Sequence, residues 1–293
     1  MSALFDVDEL VDVPFFAQTE FDCGPAALAT VLGAEGVAVT PEQLIDAVYV
    51  EGLRGSLQAE LLGATRRYGL LPVPIAPDPV SLLTELDSGR PVLVLQNLGL
   101  ERVPAWHYAV AVGFSAERER MILRSGDEPR RTERASRFLR SWRLADYWGF
   151  VAVSPGAIPA SATPDIYMRA LVGSSRQLED AGVERAYDAA LARWPRDPLV
   201  LFLTASREQA AANLDQAAEL YRRLIALEPA HAPARNNLAN VLLEQGCRDS
   251  ALREARAALA LQAPGDDFYA AIADTMHEIE AMPSGLTERC SQG

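Results

Sequence analysis

The sequence from residue 13 to 32 reads VPFFAQTEFDCGPAALATVL and places a cysteine at the start of a helical pattern. Small and apolar residues after Cys23 predict a helix that ends near Gly33 or Gly36. Pro25 fits the first turn, because an N–H there has no intrahelical partner. The positive end of a helix and its unpaired N–H groups favour a thiolate at Cys23, and Gly24 lets backbone or substrate approach the sulfur. This stretch therefore predicts a nucleophilic cysteine rather than a small buried hydrophobe.

A cysteine nucleophile needs an oxyanion donor and a base. Gln18 lies five residues before Cys23, and its side-chain amide together with the Cys23 backbone N–H supplies two donors. The base should be a histidine from a strand elsewhere in the same domain. The chain has three histidines, His107, His231 and His277. The last two lie in a helical half, so His107, at the head of the apolar run HYAVAVGF, is the predicted base.

Bulk composition limits the classes of function. The chain has 293 residues, 49% of them hydrophobic, which predicts about two soluble globular domains. A net charge of −13 disfavours a nucleic-acid partner. No apolar run is long enough to span a bilayer, and the acidic start MSALFDVDELVDV does not resemble an export signal. The expected location is the cytoplasm or, if a leader has been removed, the bacterial envelope.

The first half mixes helical and strand patterns. Two helices are predicted, one from Cys23 and one from about Leu57 to Tyr68. Short apolar runs after them predict the strands of an antiparallel sheet, and these runs begin at Pro91, His107, Met121 and Trp148. This is an α+β domain over residues 1–154. Residues 155–165 are rich in proline, alanine and serine and are the predicted linker.

The second half, residues 166–293, repeats itself with a period of 34 residues. The matching pairs are Tyr187 and Tyr221, Pro195 and Pro229, Ala205 and Ala239, and Ala217 and Ala251. This spacing predicts tetratricopeptide-like helical repeats, with two good units, one poorer unit and a capping helix from Asp267 to Glu280. The alternative is an ordinary helical bundle. Such repeats predict a groove for a protein partner.

The residues Gln18, Cys23-Gly-Pro and the strand that begins His107-Tyr-Ala-Val resemble the bacteriocin-processing, double-glycine-leader group of papain-like cysteine peptidases. The resemblance covers about residues 10 to 155. It implies a papain-like α+β fold, hydrolysis of amide bonds, and no metal or organic cofactor. The related peptidases are fused to a membrane transporter and cut after Gly-Gly; since the chain has no predicted membrane span, that physiological role does not transfer.

The sequence departs from this family at the residue that orients the histidine. The family has an aspartate, usually followed by proline, on the strand after the histidine, whereas this chain has Ser125-Gly126 there. Strand alternation puts Ser125 and Asp127 on one face, so Asp127 is the predicted orienter and a turn residue is its alternative role. Ser125 and Asn97 remain alternatives for the orienter. Trp106 either shields the catalytic pair from water or packs in the core.

The leading hypothesis is a cysteine peptidase with Cys23, His107, Gln18 and Asp127 as site residues, whose repeats recruit a protein substrate or partner. One rival is an inactive pseudo-peptidase that only binds proteins, motivated by the missing Asp-Pro. A second rival is an acyl transferase that uses the same nucleophile.

Overall fold

The computed structural model describes residues 7–18, 23–50, 52 and 55–282. The chain folds into two compact units, Met1–Ala189 and Ala190–Gly293. The helices are α1 Cys23–Ala34, α2 Pro41–Val48, α3 Gln58–Arg67, α4 Pro79–Asp87, α5 Ala135–Arg143, α6 Pro164–Val172, α7 Asp180–Arg193, α8 Pro198–Ala210, α9 Leu214–Leu227, α10 Ala232–Glu244, α11 Arg248–Leu259 and α12 Tyr269–Ala281. The strands are β1 Tyr49–Val50, β2 Gly55–Ser56, β3 Leu71–Pro74, β4 Val92–Asn97, β5 Trp106–Ser115, β6 Arg120–Ser125, β7 Glu128–Arg134 and β8 Gly149–Val153. Among these described residues, no helix is both long and apolar enough to cross a membrane.

A six-stranded sheet forms the centre of the first unit. Its strand order is β3-β8-β4-β5-β6-β7, and all neighbouring strands are antiparallel. The predicted antiparallel sheet is thus confirmed, and the four apolar runs form β4, β5, β6 and β8. The two edge strands, β3 and β7, are not indicated by the sequence patterns. The β3 sequence LPVP contains two prolines, which an edge strand tolerates, and the β7 sequence EPRRTER has no apolar alternation.

Helix α1 is buried nearly all round. Every residue from Gly24 to Leu32 is buried, as expected for a helix without a charged face. The one hydroxyl among them, on Thr30, donates to the Ala26 carbonyl at 2.9 Å. The helix ends at Ala34 and is followed by a turn in which Gly36 has a left-handed φ of 82°, and Val37 N–H donates back to the Leu32 carbonyl at 3.0 Å. This burial fixes the position of the helix start, where Cys23 lies.

Helices cover both faces of the sheet. Leu95 and Tyr108 face each other across β4 and β5 and belong to the apolar cluster that includes α1, α2 and α3. The next side chain on β4, Gln96, points the opposite way because strand side chains alternate. It donates to the Ser141 hydroxyl of α5 at 2.8 Å. The α1 layer and the α5 layer therefore enclose the strands that carry the predicted base.

The segment predicted as a linker is attached to the first unit. Backbone N–H groups of Ser154 and Ser161 donate to the carboxylates of Glu35 and Glu85, at 3.2 and 2.5 Å. Helix α6, which follows, packs against β3 and buries Tyr167 and neighbouring apolar residues fully. The compact units therefore divide inside α7, later in the chain than residues 155–165, because α6 has an apolar face that the first unit covers.

The second unit consists of helices that pair along the chain. Helices α8 and α10 begin at Pro198 and Ala232, and α9 and α11 begin at Leu214 and Arg248, in both cases 34 residues apart. The small residues at the helix contacts are fully buried, namely Ala205, Ala217, Ala239 and Ala251. Helix α12 lies where the capping helix is predicted. The assignment of these helices to tetratricopeptide-like repeats stays a prediction.

Candidate active site

Cys23 is the first residue of α1 and is half-buried at the margin of the first unit's apolar core. The chain is packed closely around its neighbour Gly24. A Cβ on Gly24 would lie 2.5 Å from Ser56 Cβ and 3.7 Å from Tyr108 Cδ2. Gly24 is thus required by the approach of β2 and β5 to the helix start. Residues 19–22, between Gln18 and Cys23, lie outside the described residues.

Tyr108 lies beside the start of α1 and is buried. Its hydroxyl donates to the Ser56 carbonyl at 3.1 Å. Burial and, second, negative charge at Cys23 raise the pKa of Tyr108 well above its usual value. Tyr108 is therefore a neutral hydrogen-bond donor, and its ring lies next to Gly24, the residue after Cys23.

His107 precedes Tyr108 on β5 and is hydrogen-bonded to Ser125 at the end of β6. The distance between His107 Nε2 and Ser125 Oγ is 2.7 Å, and Ser125 is 1% exposed. Burial of the imidazole and, second, the positive charge of Arg131 lower the pKa of His107 to about 4. The ring is therefore neutral at physiological pH and able to accept a proton.

The contact predicted for Asp127 is made by Ser125 instead. Ser125 pairs with Glu128 across the β6–β7 hairpin, so only Gly126 and Asp127 form its turn. Gly126 has a left-handed φ of 66°, and Asp127 is exposed at the tip. Strand alternation stops at Ser125, which is why Asp127 does not continue the face that carries Ser125.

Asn97, the other alternative orienter, has a different role. Its Oδ1 accepts hydrogen bonds from the Gly99 and Ala105 backbone N–H groups at 3.0 and 2.9 Å. These contacts shape the connection between β4 and β5. The structure therefore brings Ser125 to His107 and assigns Asn97 to the neighbouring loop.

Gln18 is hydrogen-bonded to the same end of the sheet. Its backbone N–H donates to the Gly126 carbonyl, and the Gly126 N–H donates to Gln18 Oε1, both at 2.8 Å. Gln18 Nε2 donates to the Tyr108 carbonyl at 3.4 Å. The amide nitrogen is thus held toward β5, at the carbonyl of Tyr108, whose ring lies next to Gly24.

The connection between β4 and β5 exposes apolar side chains next to His107. Trp106 is 56% exposed, so its predicted core packing is wrong. The large apolar residues exposed with it are Leu98, Leu100 and Val103. Whether Trp106 shields the catalytic pair stays a prediction.

The other two histidines belong to the second unit. His231 Nδ1 accepts from the Ala234 N–H at 3.1 Å and caps α10, and its ring lies 5.3 Å from that of Phe202. His277 is exposed on α12. Across the described ranges, no group of three metal-binding side chains occurs.

Sequence reasoning missed three residues of this region. Ser56 carries a buried hydroxyl that has no hydrogen-bond partner within the described part of the chain, and nothing in its surrounding sequence marked it. Tyr108 belongs to the His107-Tyr-Ala-Val strand, but no role of its own is predicted from the sequence. Arg131 lowers the pKa of His107 through its positive charge. It lies on β7, whose sequence does not predict a strand, although the cluster of arginines there is visible in the sequence.

Residues 10–148 match the model of a family described as the Peptidase_C39 like family. The matched range contains Gln18, Cys23, His107 and Ser125. This match connects the first part of the chain with a family of cysteine peptidases. No curated protein matches the chain.

Solved structures of two kinds are similar to the chain. A C39-like peptidase from Bacillus anthracis is 18% identical, with 51% of this chain and 98% of that chain covered and a TM-score of 0.43. The peptidase domain of Streptococcus ComA, a bi-functional ABC transporter involved in quorum sensing, is 19% identical over 48% of this chain and 98% of that chain, with a TM-score of 0.38. The Yersinia enterocolitica type III secretion translocator chaperone SycD is 14% identical over 41% of this chain and 86% of that chain, with a TM-score of 0.37.

Proposed function

We propose that the first unit is a cysteine peptidase in which Cys23 is the nucleophile and His107 the acid and base. The observation that carries this proposal is the hydrogen bond between His107 Nε2 and Ser125 Oγ at one end of the sheet, against which the helix that begins at Cys23 packs. Because Ser125 contacts Nε2, the nitrogen that takes the thiol proton is Nδ1. A neutral imidazole, as the lowered pKa of His107 indicates, is the form that can accept it.

The proposed reaction has two steps. The Cys23 proton moves to His107 Nδ1, the sulfur attacks the peptide carbonyl carbon, and the electron pair of the C=O bond moves to its oxygen. When the C–N bond breaks, the leaving amine takes the proton from Nδ1 and a thioester remains. Water then attacks the thioester carbonyl and gives a proton to His107 Nδ1. When the C–S bond breaks, the leaving sulfur takes this proton back from Nδ1, so that the acid is released and the Cys23 thiol and neutral His107 are restored.

Gln18 is the proposed donor to the oxyanion. Its Oε1 is held by Gly126 N–H, so the side chain cannot rotate without losing that bond. One N–H of its amide faces the Tyr108 carbonyl, which leaves the second N–H to donate toward the carbonyl oxygen that develops negative charge. The N–H of Cys23 is the second proposed donor.

Ser125 is the proposed orienting group behind the imidazole. For Nδ1 to accept the thiol proton, Nε2 must carry its hydrogen and donate it to Ser125 Oγ. A hydroxyl fixes the ring as a carboxylate would, but it stabilises an imidazolium less because it is uncharged. This difference favours the second candidate function, a protein-binding pseudo-peptidase, and it makes a direct test necessary.

Labelling of Cys23 by a thiol-directed peptidyl electrophile tests the peptidase proposal. We expect the wild-type chain to be modified at Cys23, and His107→Ala to react much more slowly because the base is lost. Substrates trapped on Cys23→Ser and identified by mass spectrometry then give the scissile bond. Equal labelling of wild type and His107→Ala would support the pseudo-peptidase. Products formed with and without an added amine separate hydrolysis from acyl transfer.

We propose further that the second unit recruits the protein substrate or a partner. Its paired helices with a 34-residue spacing support this role, because stacked helical pairs present an extended binding surface. Phe268, 52% exposed, lies in a cavity of about 600 Å³ together with His231. We expect Phe268→Ser to slow cleavage of a trapped protein substrate and to leave cleavage of a short peptide from it unchanged; equal slowing of both would contradict the recruiting role.

A further inference from the structure

Positive charge is concentrated in one short segment of an acidic chain. The whole chain has a net charge of −13, and all of its 27 basic residues are arginines. Residues 118–143 contain nine of these arginines and only four acidic residues. This segment covers β6, β7 and α5 and therefore differs in sign from the rest of the protein.

Five of these arginines line one groove of about 610 Å³ between β7 and the start of α5. A single acidic side chain, that of Glu133, lies among them. The arginines are Arg120, Arg131, Arg134, Arg137 and Arg140. The groove thus carries a clear excess of positive charge.

Most of this charge has no internal partner. Glu133 pairs with Arg137 at 3.0 Å. Among the described residues, the only other side-chain hydrogen bonds of the groove arginines are the two that Arg120 Nη1 donates to the carbonyl and the hydroxyl of Thr132. By contrast, Arg124 and Arg130, from the same segment but outside the groove, are both paired with Glu9. The groove arginines are therefore available to bind an external anion, whereas Arg124 and Arg130 form ion pairs within the fold.

The groove adjoins the candidate active site through Arg131. A Cβ on Gly126 would lie 3.7 Å from Arg131 Nη1, and Gly126 is the residue that holds Gln18. The charge of Arg131 also acts on His107. In addition, Glu133 accepts a hydrogen bond at 3.3 Å from Gln96, which lies opposite His107 in the sheet. A peptide bound with its scissile bond near Cys23 and His107 would therefore pass close to the groove.

We propose that this groove binds aspartate and glutamate side chains of the peptide substrate and thereby selects sites with acidic residues on one side of the scissile bond. This rests on the peptidase function proposed above. Guanidinium groups present paired N–H donors that match the two oxygens of a carboxylate, and lysine lacks that geometry. The negative charge of the remaining protein disfavours a long polyanion such as a nucleic acid, whereas a short acidic segment contacts the groove alone.

Binding and cleavage are measured separately. For binding, the full chain with Cys23→Ala is titrated against a rhodamine-labelled peptide that contains a run of glutamates, and against the same peptide with glutamines. For cleavage, the wild-type chain digests a mixture of proteome-derived peptides, and mass spectrometry reads the residues around each cut. We expect the glutamate peptide to bind about tenfold more tightly at low salt, with the difference reduced as salt is added, and the cuts to be enriched in acidic neighbours.

Two double variants that each remove two positive charges test the role of the groove. Arg134→Gln with Arg140→Gln removes two exposed groove arginines, and Arg176→Gln with Arg196→Gln removes two exposed arginines elsewhere. Only the first pair is expected to abolish the preference for glutamate and for acidic cleavage neighbours. Thermal unfolding checks that both double variants fold.

The outcomes distinguish the two proposals. The groove proposal is overturned if cleavage shows no preference for acidic neighbours, or if that preference survives in the double variant Arg134→Gln with Arg140→Gln. Either result leaves the peptidase proposal intact. Tight, groove-dependent binding of the glutamate peptide without cleavage or labelling of Cys23 overturns the peptidase proposal and leaves acid binding intact. Groove-dependent binding of a single-stranded oligonucleotide that the glutamate peptide does not displace overturns the peptide assignment.

Discussion

The candidate site of the first unit and the turn between α8 and α9 of the second unit differ in the sequence separation of their polar contacts. In the first unit, Ser125 contacts His107 from the neighbouring strand, and Gln18 contacts Gly126 from more than a hundred residues away in sequence. In the second unit, Glu208 contacts its neighbour Arg207 and, at 2.7 Å, Asn213, all at one turn between α8 and α9. Polar contacts between distant segments bring chemical groups together, whereas local ones close a helical hairpin. At the candidate site of the first unit, segments that are far apart in sequence are therefore joined by side chains, whereas this turn of the second unit joins residues that are close in sequence.

Loss of the proposed dyad should have the largest effect. We expect Cys23→Ala and His107→Ala each to lower peptide cleavage at least about a thousandfold, because each removes a group that acts in the same proton transfer. Rates with a peptide taken from the trapped substrate measure this loss. An Asp127→Ala variant serves as control, since that side chain is exposed. A much smaller loss in His107→Ala would remove the histidine from the mechanism.

Acid should destabilise the first unit selectively. Burial, and second the charge of Arg131, lower the pKa of His107 to about 4, while the unfolded value is near 6.5. Above about pH 6.5 the imidazole is neutral in both states. As the pH falls toward 4, only the unfolded chain gains the proton, so up to about 3 kcal/mol of stability is lost.

Hydrogen exchange at pH 7.5 and 4.5 measures this loss separately in β5 and in α10. We expect His107→Gln to remove the His107 part of the pH dependence and Arg131→Gln to reduce it, because the histidine pKa rises when the neighbouring positive charge is removed. An unchanged pH dependence in both variants would show that His107 is not the group responsible.

Close packing can be disturbed in either unit by adding a few atoms. Gly24→Ala should destabilise the first unit by about 1–3 kcal/mol, because its Cβ collides with Ser56, and Ser56→Gly should restore part of the loss. Ala251→Leu should destabilise the second unit by a similar amount, because Ala251 is fully buried at a helix contact. Labelling of Cys23 should fall in the first variant only. Equal labelling losses would show that the second unit supports the active site.

Removal of the Ser125 hydroxyl should have a smaller effect than loss of the dyad. We expect Ser125→Ala to lower turnover about tenfold, equivalent to about 1.4 kcal/mol, because the imidazole loses the group that fixes its orientation. Ser125→Asn should recover part of the rate, since an amide oxygen can accept from Nε2. Turnover of Asp127→Ala should equal that of wild type. If turnover fell in Asp127→Ala and stayed normal in Ser125→Ala, the orienting group would be the Asp127 carboxylate and not the Ser125 hydroxyl.

The sequence predicted those parts of the fold that have strong local patterns. Helix α1 and the strands β4, β5, β6 and β8 are apolar runs with clear breaks, and their existence and antiparallel arrangement could be read directly. Strand β7 could not, because it is a largely exposed edge strand whose sequence EPRRTER has no apolar alternation. Helix α5 has its buried residues Ala135, Phe138 and Trp142 at helical spacing, but the three arginines of the helix obscured this pattern. Local propensity alone does not describe such segments.

At the candidate site, too, the sequence predicts some residues and not others. Cys23, His107 and Gln18 belong to spaced patterns that chemistry itself dictates. Ser125, and not Asp127, contacts His107. This difference depends on where β6 ends and on an irregularity in the pairing of β6 with β7 between Leu123 and Ser125. A one-residue difference in strand end decides which side chain faces inward, and alternation in the sequence does not reveal that end.

The two-residue turn after Ser125 constrains how this protein can change. The Gly126 carbonyl accepts from the Gln18 backbone N–H, and the Gly126 N–H donates to the Gln18 side-chain Oε1, while the residue before Gly126 contacts His107. An extra residue between Ser125 and Glu128 would move the supports of the glutamine and of the histidine at once. Surface turns elsewhere tolerate insertions well, but here the length of the turn is itself a functional property, so homologous chains that keep the chemistry should keep this hairpin at the same length.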